Sequence, residues 1–413
     1  MMKKISVIVV VIVILLLLQF GLKIESEQDQ VTWWQFQSVD TMKYSRDVSR
    51  EKLHDPTFDI VINQQVSAIA QTGATHVAIA TPYDEEFFPI LKRWVLSARR
   101  HGLSVWFRGN WSGWEGWFGY PRIDRNTHIA KTAEFIRNHA DIFQNGDVFS
   151  ACPECENGGP GDPRHSGDVK GHRAFLIDEY EMTKQAFKEI KKNVTSNYNS
   201  MNGDVAELIM DKETTAKLDG LVVIDHYVAT SEQILRDAED LAKRSGGKIV
   251  FGEFGAPIPD IHGQMTEEEQ SKWLHDSLYA LAGSEAVVGI NYWVSVGGST
   301  SLWMDDGTPK KGASTLATFF DPTVHQGVVV NEAKQPVRFA QVQSFGKTYK
   351  TNSSGQFMLP VLSDSQTITI TASGYDPLTQ PVNTTVANVT LKKTDENGLF
   401  MLHKLLASLF FFL

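Results

Sequence analysis

Short apolar segments alternate with amphipathic segments over most of the chain, and this alternation constrains the fold more than any other feature. Between Val31 and Asp321, β-branched apolar runs predict strands, and stretches with apolar residues at helical spacing separate them. The predicted strands are Val31–Ser38, His76–Thr81, Leu103–Gly109, Asp147–Cys152, Val194–Asn199, Gly220–Tyr227, Lys248–Phe254 and Val287–Trp293. The predicted helices include Phe58–Gln71, Pro89–His101, His128–Phe143, Ala174–Lys192, Ser231–Arg244 and Glu267–Ala282. This order favours the α/β class, with a parallel sheet covered by helices.

The number of strand–helix repeats distinguishes two kinds of parallel sheet. Eight repeats within residues 31–321 are typical of a (β/α)8 TIM barrel, which usually has about 250 residues. A doubly wound open sheet is the alternative, but it needs a glycine-rich phosphate-binding turn after an early strand, and the sequence has none there. We therefore predict a barrel whose active site lies at the carboxyl ends of its strands.

The sequence pattern changes after Pro322. Residues 324–393 have little helical periodicity, and turn-forming residues separate short alternating runs, which predicts a small all-β sandwich. The runs Gly327–Val330, Thr351–Phe357 and Ala372–Tyr375 resemble the carboxypeptidase-regulatory-like sandwich modules. The resemblance implies a spacer or display unit, and carbohydrate binding is the alternative.

The amino-terminal segment, residues 1–30, has the pattern of an export signal. Lys3 and Lys4 precede the apolar run Ile5–Leu18, and no small-residue cleavage site follows it. We keep two interpretations, a cleaved signal peptide and an uncleaved membrane anchor. Both place the remaining chain outside the cytoplasm, secreted or held at the cell surface, because the lysines stay inside. Residues 394–413 form a hydrophobic tail to which we assign no role.

Charge and cysteine content exclude several functions. The 39 Lys and Arg residues against 49 Asp and Glu residues give a net charge of −10, so we expect no nucleic-acid partner. Cys152-Pro-Glu-Cys155 offers too few ligands for zinc unless His165 and His172 join it, and it ends a strand instead of opening a helix as redox motifs do. We therefore predict no metal and no cofactor, and interpret the cysteines as two residues flanking Glu154.

Carboxylates follow two of the predicted strands. Glu154 lies at the end of the fourth strand and Glu253 at the end of the seventh. Cleavage of a glycosidic bond needs such a pair, because one carboxyl protonates the leaving oxygen while the other attacks or activates water. The other strand ends bring Arg108, His226, Tyr227 and Trp293 to the same mouth. A structural ion pair is the alternative for Arg108, and a core position is the alternative for His226.

The order of these strand-end residues resembles the clan A retaining glycoside hydrolases, and most closely their family 5 type. The resemblance covers residues 31–321 and includes Gly252-Glu-Phe-Gly255 at the nucleophile strand. It implies that Glu154 is the acid/base and Glu253 the nucleophile. The family has Asn directly before the acid/base, where this chain has Pro153, so Glu156 remains the alternative acid/base.

The roles of the neighbours follow from this pair. We expect Arg108 to keep Glu253 ionised and Tyr227 to form a hydrogen bond with this nucleophile. The charge of Glu253 is expected to raise the pKa of Glu154. His226 is expected to contact the acid/base or the sugar.

Aromatic residues and glycines alternate after the third strand. Trp111, Trp114 and Trp117 are spaced three apart with Gly113 and Gly116 between them, which predicts a loop instead of a packed helix. Flat rings suit the apolar faces of sugars, so we expect at least one of the three rings to be exposed and to face Glu253. We predict that Trp111 and Trp293 bind substrate, with Trp293 beneath the sugar at the cleavage point.

These observations predict an extracytoplasmic glycosidase of carbohydrate metabolism that hydrolyses O-glycosyl bonds with retention. Its expected substrate is a β-linked polysaccharide or oligosaccharide. A non-catalytic carbohydrate-binding barrel would keep the aromatic residues without needing paired carboxylates. A transglycosylase would use the same two carboxylates.

Overall fold

The computed structural model describes residues 31–362, 366–382 and 387–394 and confirms the predicted fold class. The barrel strands are β1 (Phe36–Asp40), β2 (His76–Ile79), β3 (Ser104–Phe107), β4 (Val148–Phe149), β5 (Met201–Asn202), β6 (Leu221–Asp225), β7 (Lys248–Phe254) and β8 (Val287–Tyr292). They form one parallel sheet in the order β4-β3-β2-β1-β8-β7-β6-β5.

The sheet closes on itself between its first and last strands. Val148 of β4 pairs with Thr195, which lies a few residues before β5, and the Phe149 amide donates to the Thr195 carbonyl at 2.8 Å. Residues 194–200 therefore occupy the position of the predicted fifth strand, although only Met201–Asn202 has regular strand pairing. The result is a closed (β/α)8 barrel.

Helices cover the outside of the barrel. The longer ones are α1 (Phe58–Ala70), α2 (Phe88–Arg100), α3 (Arg125–Asn138), α4 (Val169–Glu189), α5 (Gly203–Ile209), α6 (Lys212–Lys217), α7 (Ser231–Ser245), α8 (Glu267–Ala282) and α9 (Lys311–Phe320). Short helical turns lie in the loops at Met42–Ser45, Ser49–Lys52, Glu85–Phe87, Ser112–Glu115, Trp117–Gly119, Cys155–Asn157, Pro163–Ser166 and Pro259–His262. Their apolar faces and the outward-facing strand residues form one large core.

The carboxy-terminal part is a two-sheet sandwich with its own apolar core. Its strands are β9 (Thr323–Asn331), β10 (Gln341–Ser344), β11 (Lys347–Lys350), β12 (Gln356–Val361), β13 (Thr367–Thr371), β14 (Leu378–Pro381) and β15 (Ala387–Leu391). One sheet has the order β11-β10-β13-β14 and the other the order β12-β9-β15. The sandwich strands are antiparallel except for the parallel pair β9–β15.

The sandwich packs against the end of the barrel opposite the predicted active site. Phe345 contacts Trp33, just before β1, with ring centroids 5.4 Å apart, and Tyr279 of α8 at 4.6 Å. The Lys347 ammonium donates to the Trp33 carbonyl. Because Trp33 precedes the first barrel strand, this contact lies at the amino ends of the strands. The described part of the sandwich therefore leaves uncovered the carboxyl ends of the strands, where we predict the active site.

In the part of the chain that the structure describes, no helix is both long enough and apolar enough to cross a bilayer. The predicted signal or anchor, residues 1–30, lies outside the described residues. All but the first residue of the predicted tail, 394–413, does so too.

Candidate active site

The inside of the barrel consists of an apolar layer with a polar layer above it. The apolar layer contains Phe36, Ala78, Trp106, Val148, Tyr198, Val223 and Val250. Side chains two apart on a strand share a face, so the residues that follow these on the same face also point inward. The polar layer obtained in this way includes Asp40, Arg108, Ser200 and Asp225. It faces the carboxyl ends of the strands, where the candidate site lies.

Arg108 is the centre of this polar layer. Its Nη1 donates to Asp40 Oδ2 at 3.1 Å and to Glu253 Oε1 at 2.6 Å. Its Nη2 donates to Asp225 Oδ2 at 2.9 Å and to Ser200 Oγ at 3.1 Å. The planar guanidinium can serve several carboxylates at once, which a lysine ammonium does less well.

Burial favours the neutral form of two of the carboxyls around Arg108. Desolvation raises the pKa of Asp40 to about 6, although the Arg108 charge opposes it. Desolvation also raises the pKa of Asp225 well above its usual range, again against the effect of Arg108. Since one guanidinium cannot compensate three buried carboxylates, the negative charge concentrates on fewer of them.

A β-bulge turns Glu253 into the barrel. The register between β6 and β7 shifts, so that Ile224 pairs with Phe251 but Asp225 pairs with Glu253. Bulges of this kind redirect side chains near active sites. Gly252 occupies the crowded point, where an added Cβ would lie 2.4 Å from Asp225 Oδ1. The Tyr227 hydroxyl donates to Glu253 Oε2 at 2.7 Å, so both carboxylate oxygens of Glu253 are hydrogen-bonded.

Glu154 lies in the loop that follows β4. Its backbone has a φ of 47°, and its amide donates to the Ser200 carbonyl at 2.7 Å. Burial first, and then the charge of Glu253, raise the pKa of its carboxyl to about 8. One carboxylate oxygen from each of Glu154, Asp225 and Glu253 lies within 4.8 Å of the others. Glu154 and Glu253 therefore face each other across the mouth of the barrel.

Glu156, the alternative acid/base, has different contacts. Its Oε1 accepts from the amide of Asn202 at 2.7 Å and from Asn202 Nδ2 at 3.0 Å. Burial raises its pKa, and these bonds oppose the increase. Glu156 thus joins the β4 loop to β5, whereas Glu154 belongs to the cluster around Glu253.

The two cysteines on either side of Glu154 form a disulfide, which the sequence analysis did not anticipate. Both residues are buried. They do not serve as free thiols in this structure.

Two of the three tryptophans for which we expected at least one exposed ring are buried. Trp111 is 5% exposed, and its Nε1 donates to Thr132 Oγ1 at 2.9 Å. Trp114 is 1% exposed and stacks on Phe175 at 5.1 Å. Both are core residues, so Trp111 is not the substrate contact that we predicted.

The glycines near these rings explain the difference. An added Cβ on Gly158 or Gly159 would overlap the Trp114 ring, and one on Gly113 would lie 2.5 Å from the Pro121 carbonyl oxygen. The glycines permit close packing and do not keep the loop open. Trp117 is partly exposed, with the Arg46 guanidinium 4.6 Å above its ring.

Trp293 and His226 also lie at the mouth. Trp293 is partly exposed and meets Tyr227 edge-on at 6.2 Å. The His226 amide donates to the Glu253 carbonyl at 2.8 Å, while its Nε2 lies 3.0 Å from Asp237 Oδ2 on α7. His226 thus connects the ends of β6 and β7, with its ring bonded to a helix.

The sequence analysis missed several acids near the site. Asp40 was overlooked because the predicted first strand ended two residues before it. Glu115 lies in a short turn, accepts from Asn110 Nδ2 at 3.0 Å, and has a pKa that burial raises to about 7. Behind it, His128 Nε2 lies 3.0 Å from Asn110 Oδ1 and His128 Nδ1 lies 2.5 Å from Glu179 Oε1. Extending β1 by its period-two pattern would have found Asp40, but no local signal connects Glu115 with His128 and Glu179.

Comparison with known proteins identifies the fold. No protein-family model and no curated protein matches the sequence. Among solved structures, a GH5_18 variant from Bifidobacterium longum subsp. longum in complex with Manβ1-4GlcNAc is similar at TM-score 0.51 and 16% identity, over 73% of this chain and 84% of that one. A β-glucuronidase 2 of Bacteroides uniformis, covalently bound to cyclophellitol-6-carboxylate aziridine, is similar at TM-score 0.50 and 12% identity, over 86% of this chain.

The present chain spans 46% of the length of that β-glucuronidase. At these identities the likeness establishes a barrel fold of the kind found in glycoside hydrolases. The activity must be argued from the site itself.

Proposed function

We propose that this protein is a retaining glycoside hydrolase that cleaves a β-linked glycan or oligosaccharide, with Glu253 as nucleophile and Glu154 as acid/base. The observation that carries the proposal is that the two facing carboxyls have different surroundings, one with two hydrogen-bond donors and the other with a raised pKa. Glu253 accepts from the cationic Arg108 and from Tyr227, whereas burial and Glu253 itself raise the pKa of Glu154 to about 8. The two donated hydrogen bonds suit Glu253 to attack as a carboxylate, and the raised pKa of Glu154 keeps a proton on it at neutral pH.

The spacing of the pair supports retention. Retaining enzymes place their two carboxyl groups about 5–5.5 Å apart, and inverting enzymes leave about 6.5–9.5 Å for a water molecule. Carboxylate oxygens of Glu154 and Glu253 lie within 4.8 Å of each other. That gap is too small for an intervening water and a sugar, so it favours direct attack by Glu253.

In the first step, a Glu253 oxygen attacks the anomeric carbon while Glu154 transfers its proton to the glycosidic oxygen. The bond to the leaving group breaks, and a glycosyl ester forms on Glu253. Arg108 and Tyr227 orient the attacking carboxylate through the hydrogen bonds that they donate to its two oxygens.

In the second step, water takes the place of the departed group. Esterification removes the negative charge of Glu253, so one of the causes that raise the pKa of Glu154 disappears. Glu154 then accepts a proton from the water, which attacks the anomeric carbon and releases the sugar with its original configuration. An acceptor hydroxyl in place of water would give transglycosylation.

Two further parts of the proposal concern substrate and location. In this proposal Trp293 supports the sugar at the cleavage point, and its edge-on contact with Tyr227, which bonds the nucleophile, supports the assignment. We also place the protein outside the cytoplasm. The charged and apolar start of the sequence supports this, and so does the Cys152–Cys155 disulfide, since disulfides persist in oxidising compartments.

The test is hydrolysis of β-linked oligosaccharides and aryl glycosides by residues 31–413, with the product anomer followed by NMR. We expect Glu253→Ala to lose activity about 10³-fold or more, and azide to restore it with formation of a glycosyl azide of inverted configuration. Glu154→Ala should lower kcat/KM far more for substrates with poor leaving groups than for activated aryl glycosides. Glycan binding without turnover by the wild type would instead favour a carbohydrate-binding barrel.

A further inference from the structure

The loop that carries Glu154 is closed by a covalent bond. The Cys152–Cys155 disulfide joins residues three apart in sequence, and Glu154 lies inside the small ring that it forms. Cys152 is 0% exposed and Cys155 is 2% exposed, whereas Glu154 between them reaches the cleft. The bond therefore acts on the backbone of one candidate catalytic residue.

Glu154 needs such a constraint because of its backbone conformation. Its φ of 47° and ψ of 49° are left-handed, a region that residues with a Cβ rarely occupy. Conformations of this kind persist only where the surroundings impose them, and they are concentrated at functional sites. In an unconstrained loop, Glu154 would relax to a right-handed or extended backbone, and its side chain would point elsewhere.

Hydrogen bonds anchor the disulfide-closed loop at both ends. Asn199 Oδ1 accepts from the amides of Ala151 at 2.9 Å and Cys152 at 3.2 Å. At the other end, Trp114 Nε1 donates to the Cys155 carbonyl at 3.1 Å. These contacts hold the flanks of the loop. At its centre, the Glu154 amide donates to the Ser200 carbonyl at 2.7 Å, and the Glu154 carbonyl accepts from the Asn157 amide at 2.9 Å.

We propose that the Cys152–Cys155 disulfide is a positioning element of the glycosidase: it holds the Glu154 carboxyl opposite Glu253, and its reduction disengages the acid/base while leaving the nucleophile in place. This inference rests on the proposed function. Reduction by a dithiol transfers two electrons and two protons, breaks the S–S bond to give two thiols, and converts the dithiol to its disulfide. Glu253 keeps its bonds to Arg108 and Tyr227, because neither lies on this loop.

The activity test compares the wild type with Cys152→Ala/Cys155→Ala and with Cys152→Ser/Cys155→Ser, which differ in polarity and size but both lack the bond. A displacement of about 1 Å in a catalytic group can cost about 10²-fold in rate. We expect kcat/KM on poor leaving groups to fall about 10- to 100-fold in both variants, and kcat/KM on activated aryl glycosides, whose departure needs little protonation, to change less than about threefold. Wild type reduced with dithiothreitol, with its thiols counted after denaturation, should behave in the same way.

Hydrogen exchange gives a readout that does not depend on activity. In the variants and in the reduced protein, peptides covering 151–157 should exchange faster, because the Glu154 amide loses its bond to Ser200, while peptides covering 248–255 should not. Faster exchange in a protein without hydrolytic activity would support the positioning role and reject the glycosidase. Unchanged exchange at 151–157, or equal losses on good and poor leaving groups, would overturn the inference.

Discussion

Arg108 Nη1 lies 2.6 Å from Glu253 Oε1, and this ion pair crosses the inside of the barrel from the end of β3 to β7. The side chains are 1% and 9% exposed, so water screens the pair poorly. The same nitrogen also donates to Asp40, which links β1 to the pair. The candidate nucleophile is thus tied into a buried ion-pair network that joins β1, the end of β3 and β7.

The first prediction follows from this burial. Arg108→Met should lower the free energy of unfolding by about 3–5 kcal/mol, because it leaves buried carboxylates without their counter-charge. Arg137→Met is the matched control, since Arg137 pairs with Glu189 at the exposed surface and should cost less than about 1 kcal/mol. Urea unfolding of both variants checks this. Similar losses would mean that Arg108 contributes no more than a surface ion pair.

Asp40 leads to a prediction about pH. Its pKa rises from 3.8 to about 6 in the folded protein, so the folded state binds more protons than the unfolded state between these values. The contribution of Asp40 to stability is therefore present at low pH and is lost as pH rises through about 6. Raising the pH from 4 to 7 should therefore destabilise the wild type relative to Asp40→Asn. We expect the difference in their free energies of unfolding to change by up to about 3 kcal/mol in favour of the variant. Urea unfolding across this range measures it, and a difference independent of pH would contradict the prediction.

The fold was largely predictable because helix boundaries and strand order depend on local patterns. The predicted helices Ser231–Arg244 and Glu267–Ala282 differ from α7 and α8 by one residue at most. The candidate site was predictable only where a polar residue ends an apolar strand, as Arg108 and Glu253 do. The inward turn of Glu253 depends on a register shift between β6 and β7, and pairing between strands is not visible in one strand's sequence.

The aromatic loop shows what local patterns leave undetermined. Gly113, between Trp111 and Trp114, predicts an open loop, but here it allows the Pro121 carbonyl to approach closely. Gly158 and Gly159, from the loop after β4, pack against the Trp114 ring in turn. Whether a glycine serves flexibility or close contact depends on a partner distant in sequence. The disulfide escaped prediction for a related reason, since two cysteines three apart are compatible with a bond, a metal site or free thiols.

Gly252 provides a prediction about the bulge. In Gly252→Ala the new Cβ would lie 2.4 Å from Asp225 Oδ1 and 2.7 Å from the Ser200 Cβ, so the polar layer must move. We expect a loss of about 1–3 kcal/mol in the free energy of unfolding and a large loss of kcat. Gly283→Ala is the control, because its nearest contacts are 3.5 Å or longer and its φ is −77°. If thermal unfolding and kcat of Gly252→Ala equal those of the control, the packing argument fails.

Variants of Trp293 and Trp111 distinguish a residue that contacts substrate from a residue of the core. Trp293→Ala should raise KM for an oligosaccharide about tenfold, since a stacked ring contributes about 0.5–1.5 kcal/mol. Trp111→Phe should leave KM unchanged and lower the free energy of unfolding, because it loses the bond to Thr132 and part of a packed indole. Steady-state kinetics and urea unfolding on both variants check this. A raised KM in Trp111→Phe would mean that Trp111 contacts the substrate after all.

The last prediction decides between Glu154 and Glu156 as the acid. Burial and the charge of Glu253 raise the pKa of Glu154 to about 8, so the protonated form required for leaving-group departure is lost as pH rises through that value. The kcat/KM of the wild type on an oligosaccharide should therefore fall above about pH 8, since kcat/KM reports ionisation in the free enzyme. On the same oligosaccharide, the residual kcat/KM of Glu154→Gln should lack this fall, because an amide has no carboxyl proton to lose. Glu156→Gln should keep it, since Glu156 is bonded to Asn202 outside the carboxylate pair. If the fall disappears in Glu156→Gln and persists in Glu154→Gln, Glu156 is the acid.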